Sequence, residues 1–175
     1  MDFKNTEKAK RIKLIGCDVD GVLTDGRIFL GERGEVFKIF YAQDGLVLKH
    51  AGRAGLKIAF ITGRVSEIVK RRAKELNVDE LHMGIENKLA CMRKIWQRTH
   101  IEPEETAFIG DDFNDLALMK AVGLACTVPD GSQEVKDIAD IVSKLPGGGG
   151  AVREIIEYII KIQGHWQDVI NLPAQ

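Results

Sequence analysis

The stretch Ile12-Lys13-Leu14-Ile15-Gly16-Cys17-Asp18-Val19-Asp20-Gly21 is an apolar run that ends in two carboxylates and a glycine. Such a run predicts a buried β-strand, and open α/β sheets bind ligands at the carboxyl ends of their strands. Asp18 could then attack phosphorus, while Asp20 protonates the leaving oxygen and later deprotonates water. Gly21 permits a tight turn whose N–H groups can face phosphate oxygens. The stretch predicts phosphoryl transfer; a solvated turn or a calcium loop is the alternative, although an EF-hand has its glycine at the sixth position.

The composition is that of a globular protein without a nucleic-acid or membrane partner. The 175 residues are 45% hydrophobic and 29% charged, and the net charge is -1. We find no basic excess, no apolar segment of the roughly 20 residues that span a bilayer, and no signal peptide in the polar start. Cys17, Cys91 and Cys126 lie in apolar settings, which indicates buried thiols in a reducing compartment. We expect a cytoplasmic protein.

Apolar runs alternate with helical patterns along the chain, which predicts an α/β fold with a doubly wound, mostly parallel (Rossmann-like) sheet. We expect a single domain over residues 1–164 and a C-terminal tail over 165–175. The predicted strands are 12–17, 56–61, 80–83, 106–109, 124–128 and 140–142. The predicted helices are 45–54, 66–76, 88–99, 114–122, 133–138 and 151–163, the last preceded by a glycine run, 147–150, that we interpret as a flexible joint.

One segment, residues 26–40, interrupts the alternation and is interpreted as a protruding β-hairpin. Two apolar arms flank Gly31-Glu32-Arg33-Gly34, a turn bounded by glycines. The arms and the residues after them carry more apolar surface than a lone ribbon should expose: Ile28, Phe29, Leu30, Val36, Phe37, Ile39, Phe40 and Tyr41. The hairpin either folds onto its own domain or packs against another subunit, and we favour the second.

Three further polar groups follow apolar runs downstream. Thr62-Gly63 can bind a phosphate oxygen at a strand-to-helix turn, Lys88 can neutralise a nucleophile and phosphoryl group, and Asp111 and Asp115 can face one metal. Each has a plainer interpretation: a turn before a helix capped by Ser66, a surface lysine, and an acidic helix start. The order of all four along the chain favours the catalytic interpretation.

Four carboxylates at one sheet edge would repel one another and raise their own pKa values. A bound cation relieves that repulsion, and Mg²⁺ suits a site with few carboxylates, several waters and a phosphate oxygen. The sequence therefore predicts a magnesium-dependent site.

The ordered set Asp-x-Asp-Gly, Thr-Gly, Lys and Gly-Asp-Asp-x-x-x-Asp resembles the haloacid dehalogenase-like superfamily of phosphatases over about residues 10–160. The resemblance implies Asp18 as nucleophile and Asp20 as acid/base. It also implies Mg²⁺ held by Asp18, the Asp20 carbonyl and Asp111, with Asp115 supporting. The gaps between the motifs leave no room for the cap domain that many members carry, so a neighbouring subunit would have to close the site.

Finer features resemble the family that hydrolyses 3-deoxy-D-manno-octulosonate 8-phosphate (KDO 8-phosphate) for lipopolysaccharide synthesis. The stretches are DVDGVLTDG at 18–26, QDG at 43–45, ITGR at 61–64 and GGGAVRE at 148–154. The resemblance implies a homotetramer in which hairpins form a central barrel and the glycine-rich tail reaches a neighbour's site. It implies contact between the acidic sugar and several residues, since arginine can pair with its carboxylate: Tyr41, Ala42, Gln43, Asp44, Gly45, Arg64, Arg72, Lys88 and Arg153. Gln43 stands where the family commonly has arginine.

Other functions remain open. A sister branch acts on nine-carbon, sialic-type sugar 9-phosphates and typically has an acidic residue at the position of Arg64. A non-catalytic oligomerisation module of the same fold would not need Asp18, Asp20, Lys88 and Asp111. A mutase would normally need a cap, and a phosphorylated signalling receiver places its acidic pair and its phosphoacceptor on separate strands.

Overall fold

A computed structural model describes residues 3–171 as an α/β fold with a six-stranded sheet and a separate two-stranded hairpin. The strands are β1 (Leu14–Cys17), β2 (Phe29–Gly31), β3 (Gly34–Phe37), β4 (Lys57–Ile61), β5 (Glu80–His82), β6 (Thr106–Ile109), β7 (Leu124–Thr127) and β8 (Ile141–Val142). The helices are α1 (Phe3–Arg11), α2 (Ala42–His50), α3 (Glu67–Glu75), α4 (Lys88–Thr99), α5 (Leu116–Met119), α6 (Gln133–Ile138), α7 (Ala151–Ile162) and α8 (Trp166–Ile170).

The strand order of the main sheet, β5-β4-β1-β6-β7-β8, creates the crevice in which such folds bind ligands. All neighbouring pairs are parallel. The chain runs outward from β1 through β4 to β5 and then crosses back to β6 on the other side of β1. Its direction of travel therefore reverses between β1 and β6, and the two strands end beside a topological switch point. The predicted fold class is confirmed.

The sheet is covered on both faces, which explains why its strands lack polar alternation. Ile15, Phe60 and Ile109 pack with α1, α2, α3 and α7 on one face. Leu14 and Phe108 pack with α4, α5 and α6 on the other. Because successive strand residues point to opposite faces, the buried apolar side chains of a strand divide between the two apolar clusters.

Two helices are not predicted by the sequence pattern, and one begins earlier than expected. α1 is highly charged, and Ala9 is the buried residue among positions 5–11. α8 lies within the segment expected to be a tail and buries Val169. α2 begins at Ala42 rather than Gly45, so Gly45 lies inside the helix. A Cβ at Gly45 would lie 2.1 Å from Arg72 Nη2, and the glycine therefore leaves space for the arginine. Packing compensates the poor helix propensity of glycine.

The hairpin forms as predicted, with shorter arms. β2 and β3 pair antiparallel, and the rings of Phe29 and Phe37 stack with centroids 4.2 Å apart. Leu30, Val36 and Ile39 remain exposed by 69%, 58% and 56%. The hairpin thus leaves apolar surface uncovered by its own chain.

Within residues 3–171, none of the helices combines the length and apolar character that crossing a bilayer requires. The three cysteines are free and buried.

Candidate active site

The ends of β1 and β6 bring the first and fourth motifs together. The N–H of Asp18 donates to the carbonyl of Ile109 at 2.9 Å, which continues the pairing of the strands. Asp18 Oδ1 accepts the N–H of Val19 at 2.6 Å. This local bond fixes the carboxylate, and Oδ2 points to the centre of the site, where it meets the third motif. The side chain is buried to 9% exposure, as a water-excluding site requires.

Lys88 joins the nucleophile position to the fourth motif. Its Nζ lies 2.7 Å from Asp18 Oδ2 and 2.6 Å from Asp115 Oδ1, and its side chain is only 1% exposed. Asn87 fixes the start of α4 at this point because its Oδ1 accepts the N–H of Ala90 at 2.9 Å. Burial alone would lower the pKa of Lys88, but the two carboxylates outweigh it and hold that pKa above its ordinary value. Lys88 is therefore a fixed positive charge.

Asp115 orients two groups of the site through hydrogen bonds. It is completely buried, and its Oδ2 accepts the N–H of Asp111 at 3.0 Å while Oδ1 accepts from Lys88. Both oxygens are thus already bound by the protein. Asp115 therefore orients Lys88 and the backbone of Asp111. This arrangement fits a supporting role beside a metal better than direct coordination of the metal. Direct ligation by Asp115 stays a prediction.

The arrangement of acidic groups fits a divalent cation. Carboxylate oxygens of Asp18, Asp111 and Asp115 lie within 4.8 Å of one another. Asp111 Oδ1 is buried and has no hydrogen-bond partner among the described residues. Burial, reinforced by Asp18 and Asp115, raises the pKa of Asp111 to about 8. Burial first, and then Asp115, raises the pKa of Asp18 to about 6 against the opposing effect of Lys88. A cation here would relieve both costs, with Asp18 and Asp111 as its side-chain ligands.

Gly21 allows the loops of the first and fourth motifs to approach each other. Its φ is 94°, and a Cβ on it would lie 1.9 Å from Asp111 Oδ2. A side chain at this position would push Asp111 out of the cluster, so the glycine of Asp-x-Asp-Gly is required by the geometry of the fourth motif as well as by the turn.

The second motif lies beside β1 at the end of β4. Thr62 is buried, and its carbonyl accepts the N–H of Ile85 at 3.0 Å, which ties the loop after β4 to the loop that leads into Lys88. Ser66 caps α3 as predicted, since its Oγ accepts the N–H of Val69. Gly63 and Arg64 are exposed. The phosphate-binding parts of Thr62, Gly63 and Lys88 stay predictions.

Asp20 lies outside the acidic cluster and binds the hairpin segment instead. Its Oδ1 accepts from Lys38 Nζ, and Lys38 Nζ also lies 2.9 Å from Glu35 Oε1. Sequence reasoning missed both Glu35 and Lys38. The sequence did offer one signal for this pair. The stretch Glu35-Val36-Phe37-Lys38 places two opposite charges three residues apart in an otherwise apolar arm, which indicates a buried ion pair.

The structure places several of the expected substrate residues in contacts with their own chain. Asp44 is buried and accepts the N–H groups of Gly150 at 3.3 Å and Arg153 at 2.7 Å, so it caps α7.

Two of the arginines expected to contact the substrate are paired with glutamates of their own helices. Arg72 pairs with Glu75 at 2.9 Å. Arg153 pairs with Glu157 at 2.7 Å and lies over the ring of Trp166 at 5.0 Å, among residues of α7 and α8 rather than at the acidic cluster. Gln43 is exposed. Substrate contact by this set stays a prediction.

The glycine run is a packed turn rather than a flexible joint. The N–H of Gly148 donates to the carbonyl of Val22 at 2.9 Å, and that of Gly147 donates to Asp130 Oδ1 at 3.1 Å. A Cβ on Gly147 would lie 1.8 Å from the carbonyl oxygen of Gly21. The absence of side chains lets the run lie directly against the first-motif loop of its own chain.

Replacing Asp111 by asparagine is expected to stabilise the metal-free protein and to remove its response to Mg²⁺. Because the pKa of Asp111 is raised to about 8 from 3.8, its ionisation opposes folding, and wild-type stability falls as pH rises between these values. Thermal unfolding at pH 8 should show a higher Tm for the metal-free variant.

Saturating Mg²⁺, worth about 2.7 kcal/mol at 100 times Kd, should raise the wild-type Tm by about 5–10 °C. Asp112→Asn, next in the chain, is the control and should keep the full Mg²⁺ response. An equal response in Asp111→Asn would contradict the assignment.

Comparison with known proteins gives the same family as the motifs. A model of haloacid dehalogenase-like hydrolases matches residues 83–155. The 3-deoxy-D-manno-octulosonate 8-phosphate phosphatase of Escherichia coli (strain K12) is 38% identical over 157 residues, which is 90% of this chain and 84% of that protein.

Solved structures match over nearly the whole chain. One is the 3-deoxy-D-manno-octulosonate 8-phosphate phosphatase of Moraxella catarrhalis in complex with a magnesium ion, a phosphate ion and KDO: TM-score 0.92, 39% identity, covering 97% of this chain and 98% of that one. Another is the cobalt-bound phosphatase of Haemophilus influenzae: TM-score 0.89, 35% identity, covering 94% and 96%.

Proposed function

Because the chain belongs to the 3-deoxy-D-manno-octulosonate 8-phosphate phosphatase family of haloacid dehalogenase-like hydrolases, we propose that it hydrolyses KDO 8-phosphate to KDO and inorganic phosphate with Mg²⁺. One observation carries the proposal: Lys88 bridges Asp18 and Asp115 at 2.7 and 2.6 Å beside Asp111, which keeps a buried, unpartnered oxygen among the described residues. A scaffold needs no such group of charges. The product would enter lipopolysaccharide precursor synthesis, and the buried free thiols fit a cytoplasmic site of action.

The reaction proceeds in two displacements at phosphorus. Asp18 forms an O–P bond as the ester P–O bond breaks, and the departing sugar oxygen takes a proton from Asp20. Water then attacks the aspartyl phosphate, gives a proton to Asp20, and returns the bonding pair to Asp18. A pKa of about 6 leaves Asp18 mostly ionised at neutral pH, as a nucleophile must be.

The surrounding residues stabilise the charge that moves. Lys88 lies against the nucleophile, and we assign the binding of phosphoryl oxygens to the Thr62 hydroxyl and the Gly63 N–H. Asp18, the Asp20 carbonyl and Asp111 would hold Mg²⁺, with Asp115 supporting. When bound, Mg²⁺ supplies charge neutralisation of the transferring group.

The substrate class follows from the family and from one exposed cation. Arg64 is exposed directly after the phosphate-binding turn, where it can pair with the carboxylate of a sugar acid. The nine-carbon branch typically has an acidic residue at this position. Arg64 therefore favours the eight-carbon acid, with Gln43, Arg72 and Arg153 as further candidates for contact.

We further propose that the exposed hairpin assembles the chain into a tetramer and helps to close the capless site. Leu30 and Val36 expose 69% and 58% of their surface on adjacent antiparallel arms.

Val36→Asp should dissociate the tetramer in light scattering, because a charge would be buried in an apolar interface at a cost of several kcal/mol. Lys70→Asp, on an exposed face of α3, is the control and should leave the mass unchanged. A monomeric wild-type protein would contradict this part.

Phosphate release from a panel of esters tests the substrate. The panel contains KDO 8-phosphate, a sialic-type sugar 9-phosphate, glucose 6-phosphate and p-nitrophenyl phosphate, each with Mg²⁺. We expect kcat/KM for KDO 8-phosphate to exceed the others by at least about 100-fold, roughly 2.7 kcal/mol of discrimination. A flat profile would keep the phosphatase and discard this substrate. No release from any ester would favour the non-catalytic module.

A further inference from the structure

The acid/base position is bound by a buried lysine that no motif accounts for. The side chain of Lys38 is 1% exposed, and its Nζ donates to Asp20 Oδ1 while lying 2.9 Å from Glu35 Oε1. Lys38 follows β3 directly, so the hairpin that presents Val36 to solvent also carries a buried ammonium group to the first motif. A buried lysine is held in place for its charge and its hydrogen bonds rather than for packing alone.

The two oxygens of Asp20 are not equivalent in this arrangement. Oδ1 is occupied by Lys38, whereas Oδ2 is buried and has no hydrogen-bond partner within residues 3–171. An ammonium group has three donors and no acceptor. Because the carbonyl oxygen of a protonated carboxyl accepts a hydrogen bond more strongly than its hydroxyl oxygen does, the bond from Lys38 to Oδ1 favours placing a proton of Asp20 on Oδ2.

We propose that Lys38 is a positioning residue that confines the proton of the acid/base Asp20 to its Oδ2 oxygen and aims that oxygen at the substrate. The assignment rests on the proposed phosphatase function. In the first step the ester P–O bond breaks, its electron pair stays on the sugar oxygen, and the proton on Oδ2 moves to that oxygen. In the second, Oδ2 takes a proton from the water that attacks phosphorus, and Lys38 keeps its own protons throughout.

A second contact fixes the position of Lys38 through Glu35. Glu35 Oε2 accepts from Ser66 Oγ, and Ser66 also caps α3, directly after the turn that contains Thr62 and Gly63. The chain of contacts Asp20–Lys38–Glu35–Ser66 thus joins the acid/base loop, the hairpin and the phosphate-binding turn. An acid held from three elements keeps its geometry through the reaction, which is where pre-organisation gains rate.

The leaving group provides a test that a merely structural lysine would not affect. Nitrophenolate departs without a proton, whereas the sugar alkoxide needs one. Release of the leaving group is measured in single turnovers with enzyme in excess, for p-nitrophenyl phosphate and for KDO 8-phosphate, with glucose 6-phosphate as a second alkyl ester. Lys38→Met should slow the alkyl esters by about 30–100-fold and p-nitrophenyl phosphate by less than about 5-fold, with KM changed by less than about 3-fold.

Three further variants distinguish a positioning role of Lys38 from a purely structural role. Lys38→Arg keeps a charged donor and should restore the alkyl-ester rate at least about 5-fold over Lys38→Met. Glu35→Gln loosens Lys38 without touching Asp20, so it should produce the same leaving-group dependence at smaller size. The double variant Glu35→Gln/Lys38→Met should be no slower than Lys38→Met alone. Lys49→Met, on an exposed position of α2, is the control and should match wild type.

The outcomes are distinct. If Lys38→Met slows both classes of ester equally, or neither, while the wild type cleaves both, the Lys38 assignment is overturned and the phosphatase function stands. If the wild type cleaves no ester, the proposed function itself fails. If Lys38→Met does not fold, Glu35→Gln decides: a selective loss on alkyl esters supports the assignment, and wild-type behaviour overturns it.

Discussion

Asp18→Asn is expected to abolish turnover of every phosphate ester, with a loss of at least about 10³-fold in kcat. An amide is too weak a nucleophile to form the bond to phosphorus. The fold should persist because asparagine keeps the oxygen that accepts the N–H of Val19, and Lys88 keeps its contact with Asp115 at 2.6 Å. The lost contact between Asp18 and Lys88 should lower the Tm by less than Lys88→Met does, since that variant leaves two carboxylates without their cation.

The matched control is Asp25→Asn in the same loop. Asp25 is exposed and pairs with its neighbour Arg27, so its loss should change kcat by less than about 2-fold. Activity of Asp18→Asn above about 1% of wild type would argue against chemistry through an aspartyl phosphate.

Lys88→Met should damage both stability and activity. The side chain is 1% exposed and lies between two carboxylates, which the variant would leave buried and unpaired. Breaking such a pair costs about 3–5 kcal/mol, which corresponds to a fall in Tm of about 10 °C in a protein of this size. The loss of a fixed positive charge at the transferring group should also lower kcat by about 10²–10³-fold.

Lys94→Met is the control for Lys88→Met because it makes the same substitution on the exposed side of α4. Its Tm should stay within about 2 °C of wild type. A Lys88→Met protein with wild-type Tm and kcat would mean that the bridge between Asp18 and Asp115 contributes nothing, and the proposed charge arrangement would be wrong.

The parts of the fold that could be predicted are those fixed by local pattern. Thr106–Ile109 and the helices starting at Lys88 and Gln133 have the predicted bounds. An apolar run defines the strand, and the Asn87 cap defines the start of the helix at Lys88. Four polar groups follow predicted strands, and parallel strands bring their carboxyl ends to one edge. The meeting of Asp18, Lys88, Asp111 and Asp115 therefore follows from the order of strands and motifs in the sequence.

What could not be predicted depends on long-range packing. α1 escapes prediction because its sequence is highly charged and its packing partners are distant in the chain. Asp44 caps a helix that lies more than 100 positions away, and local sequence holds no trace of that bond. A run of four glycines indicates flexibility when taken by itself, although here the missing side chains permit contact with the loop of Gly21.

Trapping the phosphorylated enzyme tests whether Asp18 is the nucleophile. Wild-type protein with Mg²⁺ is mixed with KDO 8-phosphate, quenched in acid within the first turnover, digested and analysed by mass spectrometry. We expect the mass of one phosphoryl group on Asp18, formed no more slowly than KDO is released, and none in Asp18→Asn. Release of KDO and phosphate with Asp18 unmodified, or a phosphoryl group on another residue, would contradict it.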